Sequence, residues 1–263
     1  MAHKINGTSA NLIRLQKPGD QRSPGCFMNR QDSPVAVNGA REIFVQLKKG
    51  IVMYSGSKER LPQSELLSPY CESALARVMH EHLATVYGKT LEDFKCDLQA
   101  RRELSTPFFV AYGKGGWPTG AAFPIRKNHL PKDSAEVASE EYWAKDEPDG
   151  KYLVFRKLVS DFDWTPGLGK QLLQGGILPY GRAFFLHGEI EGAFAYVYPS
   201  RYGAYKGMPI EKYLLGGSDR NFALHSDLGA TLGRIFPGAC NDVGRTGGMI
   251  FEMDYSALLA FKA

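Results

Sequence analysis

Clustered cysteine is the first thing this chain lacks. Cys26, Cys71, Cys96 and Cys240 are scattered, and no two have CxxC spacing. That excludes the common zinc and redox motifs, and four cysteines are too few for a disulfide scaffold. Free thiols in a reducing compartment are the default reading. Long apolar runs are also missing. No stretch approaches the roughly 20 residues a membrane-spanning helix needs, so no membrane partner is expected. Residues 1–20 lack the continuous apolar core of a signal peptide, so the expected location is cytoplasmic, with export by another route left open. Dense basic clusters are absent too. Lys+Arg 32 against Asp+Glu 28 leaves a formal charge of +4, and the longest basic stretches, Lys48-Lys49 and Arg101-Arg102, are dipeptides. Nucleic-acid binding calls for more than that, although an acidic polymer remains compatible. The six histidines form no H-x-H on a strand and no H-E-x-x-H. His80 and His82 fall in a helical pattern, where i and i+2 side chains diverge. No metal and no cofactor is expected.

What is present is a globular balance: 263 residues, 43% hydrophobic and 23% charged, enough to bury a full core. Residues 1–40 are polar and rich in Ser, Asn, Gln, Pro and Gly, a poorly ordered segment by composition. Residues 41–103 read as a strand pair and helices packing on the main domain. Ile43–Leu47 and Ile51–Tyr54 flank Lys48-Lys49-Gly50 as strands joined by a turn. Leu75, Val78, Met79, His82, Leu83 and Val86 have the i, i+3, i+4 spacing of one buried helical face. Gly88 ends that helix, and Thr90 starts a second through Phe94 and Leu98. From residue 104 to 263 short aromatic or β-branched runs alternate with Gly, Pro and Asp. They are Phe108–Tyr112, Tyr152–Phe155, Ala183–Leu186, Phe194–Tyr198 and Met249–Met253, with a charged loop or short helix in Lys127–Pro148. The expected fold is mainly β with a small helical N-terminal part, a β-sandwich or jelly roll.

The most informative block runs from Phe108 to Tyr205. It contains Val110-Ala111-Tyr112-Gly113-Lys114-Gly115-Gly116-Trp117, then Thr119-Gly120-Ala121-Ala122-Phe123. Asp161-Phe162-Asp163-Trp164-Thr165-Pro166-Gly167-Leu168-Gly169-Lys170 and Gly175-Gly176 follow, then Arg182 and Tyr196-Val197-Tyr198. In order and character the block resembles the alginate and glucuronan lyases of polysaccharide lyase family 14, over about a third of the chain. The resemblance implies a jelly roll whose concave face holds an acidic, uronic-acid polysaccharide cleaved by β-elimination. It maps the family's lysine to Lys170, its arginine to Arg182 and its two tyrosines to Tyr196 and Tyr198. Lys114, Trp117, Tyr180 and His187 would bind substrate. The family's S-x-R serine is replaced by Tyr180, and its Gly-Gly-Lys-Leu-Pro-Gly-Leu is rearranged to Pro166-Gly167-Leu168-Gly169-Lys170-Gln171-Leu172.

The chemistry suits these residue types. Removing a proton α to a carboxylate needs a cation beside the developing charge, and a tyrosine near a cation can exchange the proton. Strand alternation puts Tyr196 and Tyr198 on one face. One alternative is a non-catalytic carbohydrate-binding or interaction protein of the same fold. A second is a glycoside hydrolase or other secreted effector-type enzyme, with carboxylates at Glu252 and Asp254 or at Glu189 and Glu191. Ser55-Gly56-Ser57-Lys58 matches S-x-x-K by coincidence, since the helical core that motif requires is absent. His187 and His225 are the histidines able to assist a site in the C-terminal part.

Overall fold

The computed structural model describes residues 35–37, 43–45, 51–54, 69–101, 106–112, 118–160, 167–205 and 207–260. Strands β1 (Val35–Val37) and β2 (Ile43–Val45) form a separate antiparallel pair. Strand β3 (Ile51–Tyr54) instead pairs with β4 (Phe108–Tyr112) in a seven-stranded sheet. The strand pair read across Lys48–Gly50 is therefore corrected, because its two halves lie in different sheets. An isolated hairpin is marginal in water, whereas a strand added to a large sheet shares its stability.

Helix α1 (Pro69–Tyr87) buries Leu75, Met79, Leu83 and Val86 and stops at Gly88, whose φ of 63° is left-handed. Helix α2 (Leu91–Arg101) opens with a reciprocal cap: Thr90 N donates to Asp93 Oδ2 (2.8 Å) and Asp93 N to Thr90 Oγ1 (3.2 Å). After β4 and β5 (Pro118–Lys127) come two short helices, α3 (Ser134–Ala138) and α4 (Glu140–Ala144), then β6 (Tyr152–Ser160). Helix α5 (Leu168–Leu172) continues through a π-helical stretch, Leu173–Ile177, into α6 (Leu178–Leu186). Strand β7 (Gly192–Val197), α7 (Ile210–Leu215), α8 (Arg220–Ser226), β8 (Thr231–Phe236), α9 (Val243–Thr246), β9 (Ile250–Asp254) and α10 (Ser256–Ala260) complete the order.

The sheet order is β3-β4-β5-β6-β7-β9-β8, antiparallel throughout except for the parallel pair β6–β7. A parallel pair needs a crossover, and α5–α6 supply it. Phe109, Phe155, Ala195 and Met253 pack on one face against Leu172, Ile177, Tyr180, Tyr213 and Leu259. On the other face Phe108, Val110 and Phe123 meet α1 and α2, while Val154, Tyr196 and Phe236 meet Tyr142 and Trp143 of α4. Burying each such side chain stabilises the fold by roughly 1.5–3 kcal/mol.

The expected β-sandwich or jelly roll is thus overturned: a single mixed sheet is covered by helices on both faces. The run Ala183–Leu186, read as a strand, is the end of α6, and Arg182 lies on that helix rather than opening a strand. A four-residue apolar run fits either state. The longer register decides, since Leu173, Ile177, Tyr180 and Phe184 recur at helical spacing and are all buried.

Candidate functional site

Strands β6 and β7 pair only from Tyr152–Gly192 to Phe155–Ala195. Both continue, to Ser160 and Val197, but they part, and beyond Phe155 the ladder of β6 is with β5 alone. A register shift lies at the same point. Phe123 pairs with Lys157 and Pro124 with Phe155, so Arg156 is the extra residue of a bulge. Proline has no N–H for the ladder, and a bulge bends and twists its strand. The bulge also turns Arg156 and Lys157, neighbours in sequence, to the same side. Arg156 lies over the rings of Tyr87 (4.7 Å) and Trp143 (4.9 Å), and Lys157 over Tyr87 at 5.5 Å.

Those cations anchor a partly buried ion network behind the opening, with Glu140 at its exposed side. Lys157 Nζ is 2.6 Å from Asp97 Oδ2, Lys89 Nζ is 2.8 Å from Glu140 Oε2, and Arg156 pairs with Glu140. Against burial, which raises it, the charges of Arg156, Lys157 and Lys89 bring the Glu140 carboxyl down to about 2. Burial pushes the Lys157 ammonium down to about 8, with Asp97 pulling the other way.

In front of the network the parted strands leave a cleft of about 910 Å³. Its apolar wall includes Leu83, Phe155, Leu158, Ala195, Val197 and Leu224, and its polar groups include Lys170, Tyr198, Arg201, Arg220, His225 and Arg245. Lys170 arrives on the first turn of α5. Gly167 begins that turn at φ 79°, and among the described residues no side chain caps the helix; a helix start of this kind turns its first N–H groups towards an anion. A cleft beyond the carboxyl ends of parallel strands is where open α/β sheets commonly bind ligands.

His225 is buried on α8, and its Nδ1 is 2.5 Å from the hydroxyl of Tyr255. Burial pushes the imidazole down to about 3, so it is neutral at ordinary pH, and burial raises the Tyr255 phenol, which keeps its proton. With both groups neutral, Nδ1 either accepts from the Tyr255 hydroxyl, leaving the ring hydrogen on Nε2, or donates to it. In both tautomers a neutral, desolvated imidazole lines the cleft.

The residues proposed from the sequence divide. Lys170, Tyr196 and Tyr198 all line the cleft. Tyr196 is 1% exposed and donates to Glu252 Oε2 at 2.6 Å; burial first, then Glu252, hold its hydroxyl well above the usual range. Tyr198 is half-buried, with Arg245 over its ring at 5.1 Å and hydrogen-bonded to it; burial raises its pKa and Arg245 opposes the rise. Arg182, Tyr180 and His187 are not in the cleft lining. Tyr180 packs against Phe109 and Phe184, and His187 is exposed at the end of α6. Lys114 and Trp117 lie outside the described residues. Asp254 Oδ1 accepts from Ser256 N, and Glu252 is taken up by Tyr196 and Arg234.

Sequence reasoning passed over the role of Gly167-Leu168-Gly169-Lys170 as a helix start, and the arginines Arg201, Arg220 and Arg245. The available signal for the first was the apolar period Leu168, Leu172, Leu173, Ile177 that follows the glycines. The arginines have no local signature, since 44 residues separate the first from the last. Among the described residues no cluster of metal-ligating side chains occurs, and no helix is long and apolar enough to cross a membrane.

No family model matches the sequence, and no curated protein matches it. Solved structures do. One is a GphF GNAT-like decarboxylase in complex with isobutyryl-CoA, 20% identical, with a TM-score of 0.52 over 68% of this chain and 93% of that one. Another is the loading GNATL domain of CurA from Lyngbya majuscula, 16% identical, with a TM-score of 0.55 over 78% of this chain and 96% of that one. These similarities and the single mixed sheet overturn the resemblance to polysaccharide lyases, with the β-elimination and the acidic-polysaccharide partner drawn from it. The carbohydrate-binding and glycoside-hydrolase alternatives depended on the same jelly roll and go with it. The fold of this chain resembles the folds of these two proteins.

Proposed function

We propose that this protein acts on an acyl thioester of coenzyme A held between β6 and β7. The observation that carries this reading is the parting of the parallel pair beyond Phe155 and Ala195. It leaves a strand edge on β6 that the amide groups of a pantetheine arm can complete by main-chain hydrogen bonds. At the mouth, the glycine-led start of α5 and Lys170 suit the phosphates of the same ligand. The bound isobutyryl-CoA of the GphF structure is consistent with a ligand of this class.

In this reading Tyr255 donates to His225 Nδ1, and the Nε2–H of His225 makes a hydrogen bond to the thioester carbonyl, where negative charge grows during reaction. A neutral, pre-positioned donor in a desolvated wall is effective there. In acyl transfer an acceptor adds to that carbonyl, the oxyanion collapses, and the C–S bond breaks as the coenzyme A thiolate leaves and takes a proton. A second reading, decarboxylation, is favoured by the low basicity of His225. Loss of carbon dioxide from a carboxylated acyl group needs no base: the C–C electron pair passes into the thioester as an enolate, the donor stabilises it, and carbon is then protonated.

The test uses the purified protein with acetyl-CoA and with malonyl-CoA. Free thiol appearing from acetyl-CoA in the presence of an amine, alcohol or thiol acceptor supports transfer. Conversion of malonyl-CoA to acetyl-CoA without thiol release supports decarboxylation. Absence of both products, together with no calorimetric binding of either thioester, would end the reading.

A further inference from the structure

Three arginines line the cleft from three separate segments: Arg201 after β7, Arg220 on the first turn of α8, and Arg245 on α9. Backbone ties hold these segments together. Asp219 Oδ2 accepts from Ser200 N at 2.5 Å and Ser200 Oγ at 2.9 Å, while Oδ1 caps α8 at Phe222 N, 2.8 Å away. Ser200 and Asp219 are thus clamped together, and their next neighbours in sequence are Arg201 and Arg220. Asn221 Nδ2 adds a bond to the carbonyl of Tyr198 at 2.8 Å.

The third arm is brought in by contact between backbones. Gly203, in the 3₁₀ turn Tyr202–Ala204, lies so close to α9 that a Cβ there would stand 2.0 Å from Gly244 O. Arg245 follows and is held on Tyr198. All three arginines are exposed, and among the described residues none forms an ion pair with a carboxylate. Asp219, next to Arg220, is buried and already accepts three hydrogen bonds, and Asp242, three residues before Arg245, accepts from the backbone N–H of Arg245 and forms no ion pair with its guanidinium. Glu81 and Asp227 also line the cleft, outside ion-pair distance of these arginines.

Like charges lining one cleft repel each other, and among the described residues no carboxylate pairs with them to relieve that. Guanidinium groups present forked donors matched to carboxylate or phosphate oxygens. We propose that Arg201, Arg220 and Arg245 form a second anion site of the cleft, separate in sequence from the start of α5, which binds a carboxylate or phosphate group. The proposal deepens the acyl-CoA reading and rests on it for the identity of the ligand. Two sources share this chemistry: an anionic acyl acceptor, and the ribose phosphate of coenzyme A itself.

Calorimetry on the full chain tests the proposal, comparing the R201Q/R220Q variant with the unmodified protein. The probes are coenzyme A, 3′-dephospho-coenzyme A, inorganic phosphate and succinate. If the acceptor supplies the anion, phosphate or succinate binds the coenzyme A-saturated protein, and the variant weakens that binding at least tenfold. If coenzyme A supplies it, the variant weakens coenzyme A at least tenfold but leaves 3′-dephospho-coenzyme A unchanged. A K151Q/K212Q variant removes the same charge from exposed positions outside the cleft lining and should bind every probe as the unmodified protein does. Equal binding of all probes by R201Q/R220Q and the unmodified protein overturns the proposal, provided thermal melting shows the variant folded. An unfolded double variant is replaced by R220Q alone, read by the same criteria. If coenzyme A fails to bind the unmodified protein while the variant still loses phosphate or succinate, the arginine site stands and the acyl-CoA reading falls.

Discussion

Tyr196 and Glu252 face each other across β7 and β9, and the tyrosine hydroxyl donates to Oε2 at 2.6 Å. The same oxygen takes Arg234 Nη2 at 2.8 Å. A 5%-exposed carboxylate thus has two donors, one of them buried among Trp143 and Phe236. Replacing Tyr196 by Phe leaves Glu252 with the half-exposed arginine alone. The expected cost is about 1–3 kcal/mol, the range for a buried polar group deprived of a partner. It should appear as a lower urea midpoint with an unchanged slope.

Tyr255→Phe removes the hydroxyl hydrogen-bonded to His225 Nδ1, which in the proposed reading holds the ring hydrogen on Nε2. We expect kcat on the favoured acyl thioester to fall roughly 10-fold with KM nearly unchanged. His225→Ala should cost on the order of 10²–10³ in kcat, as for loss of one oxyanion donor. An equal loss in KM for both variants would instead indicate a packing role.

Stability should fall in acid through two separable groups. His225 titrates near its ordinary value when unfolded and at about 3 when folded, so the unfolded chain binds the extra proton. Its contribution is therefore lost as pH drops from about 6.5 towards 3. Glu140, held at about 2, contributes fully above its unfolded value of 4.5 and loses that contribution as pH falls towards 2. Urea midpoints measured from pH 7 to pH 3 should flatten between about 4.5 and 6.5 in His225→Gln, while keeping the lower limb. Glu140→Gln should do the converse.

Gly203→Ala should lower stability, because its methyl group meets the backbone of Gly244 rather than a yielding side chain. Overpacking of this kind costs about 1–3 kcal/mol, which corresponds to roughly 2–4 °C of Tm per kcal/mol at this chain length. A melt within a degree of the unmodified protein would show that α9 moves aside freely.

Local pattern was enough for some elements. The spacing of Leu75, Met79, Leu83 and Val86, closed by Gly88, describes α1 because one helix face is repeated every 3.6 residues whatever it packs against. Phe108–Tyr112, Phe194–Tyr198 and Met249–Met253 likewise coincide with β4, β7 and β9 to within a residue or two. Ala183–Leu186 misled because a short apolar run looks the same in a buried helix and a buried strand. Lys170 and the Tyr196/Tyr198 pair were noticed for their order in the chain, whereas the cleft they line depends on β6 and β7 pairing in parallel and then parting.

The sequence alone thus determined composition, charge, the absence of long apolar runs, and those elements whose periodicity is complete within a dozen residues. Tertiary structure alone decided that β3 pairs with a strand more than 50 positions away and that β6 and β7 enclose a helix. It also placed Arg201, Arg220 and Arg245 in one cleft and made His225 neutral beside Tyr255. The physical reason is range. Helix and strand periodicity follow from backbone geometry and neighbouring residues, whereas strand partners, burial and the pKa of a buried group depend on segments that meet only when the chain is folded.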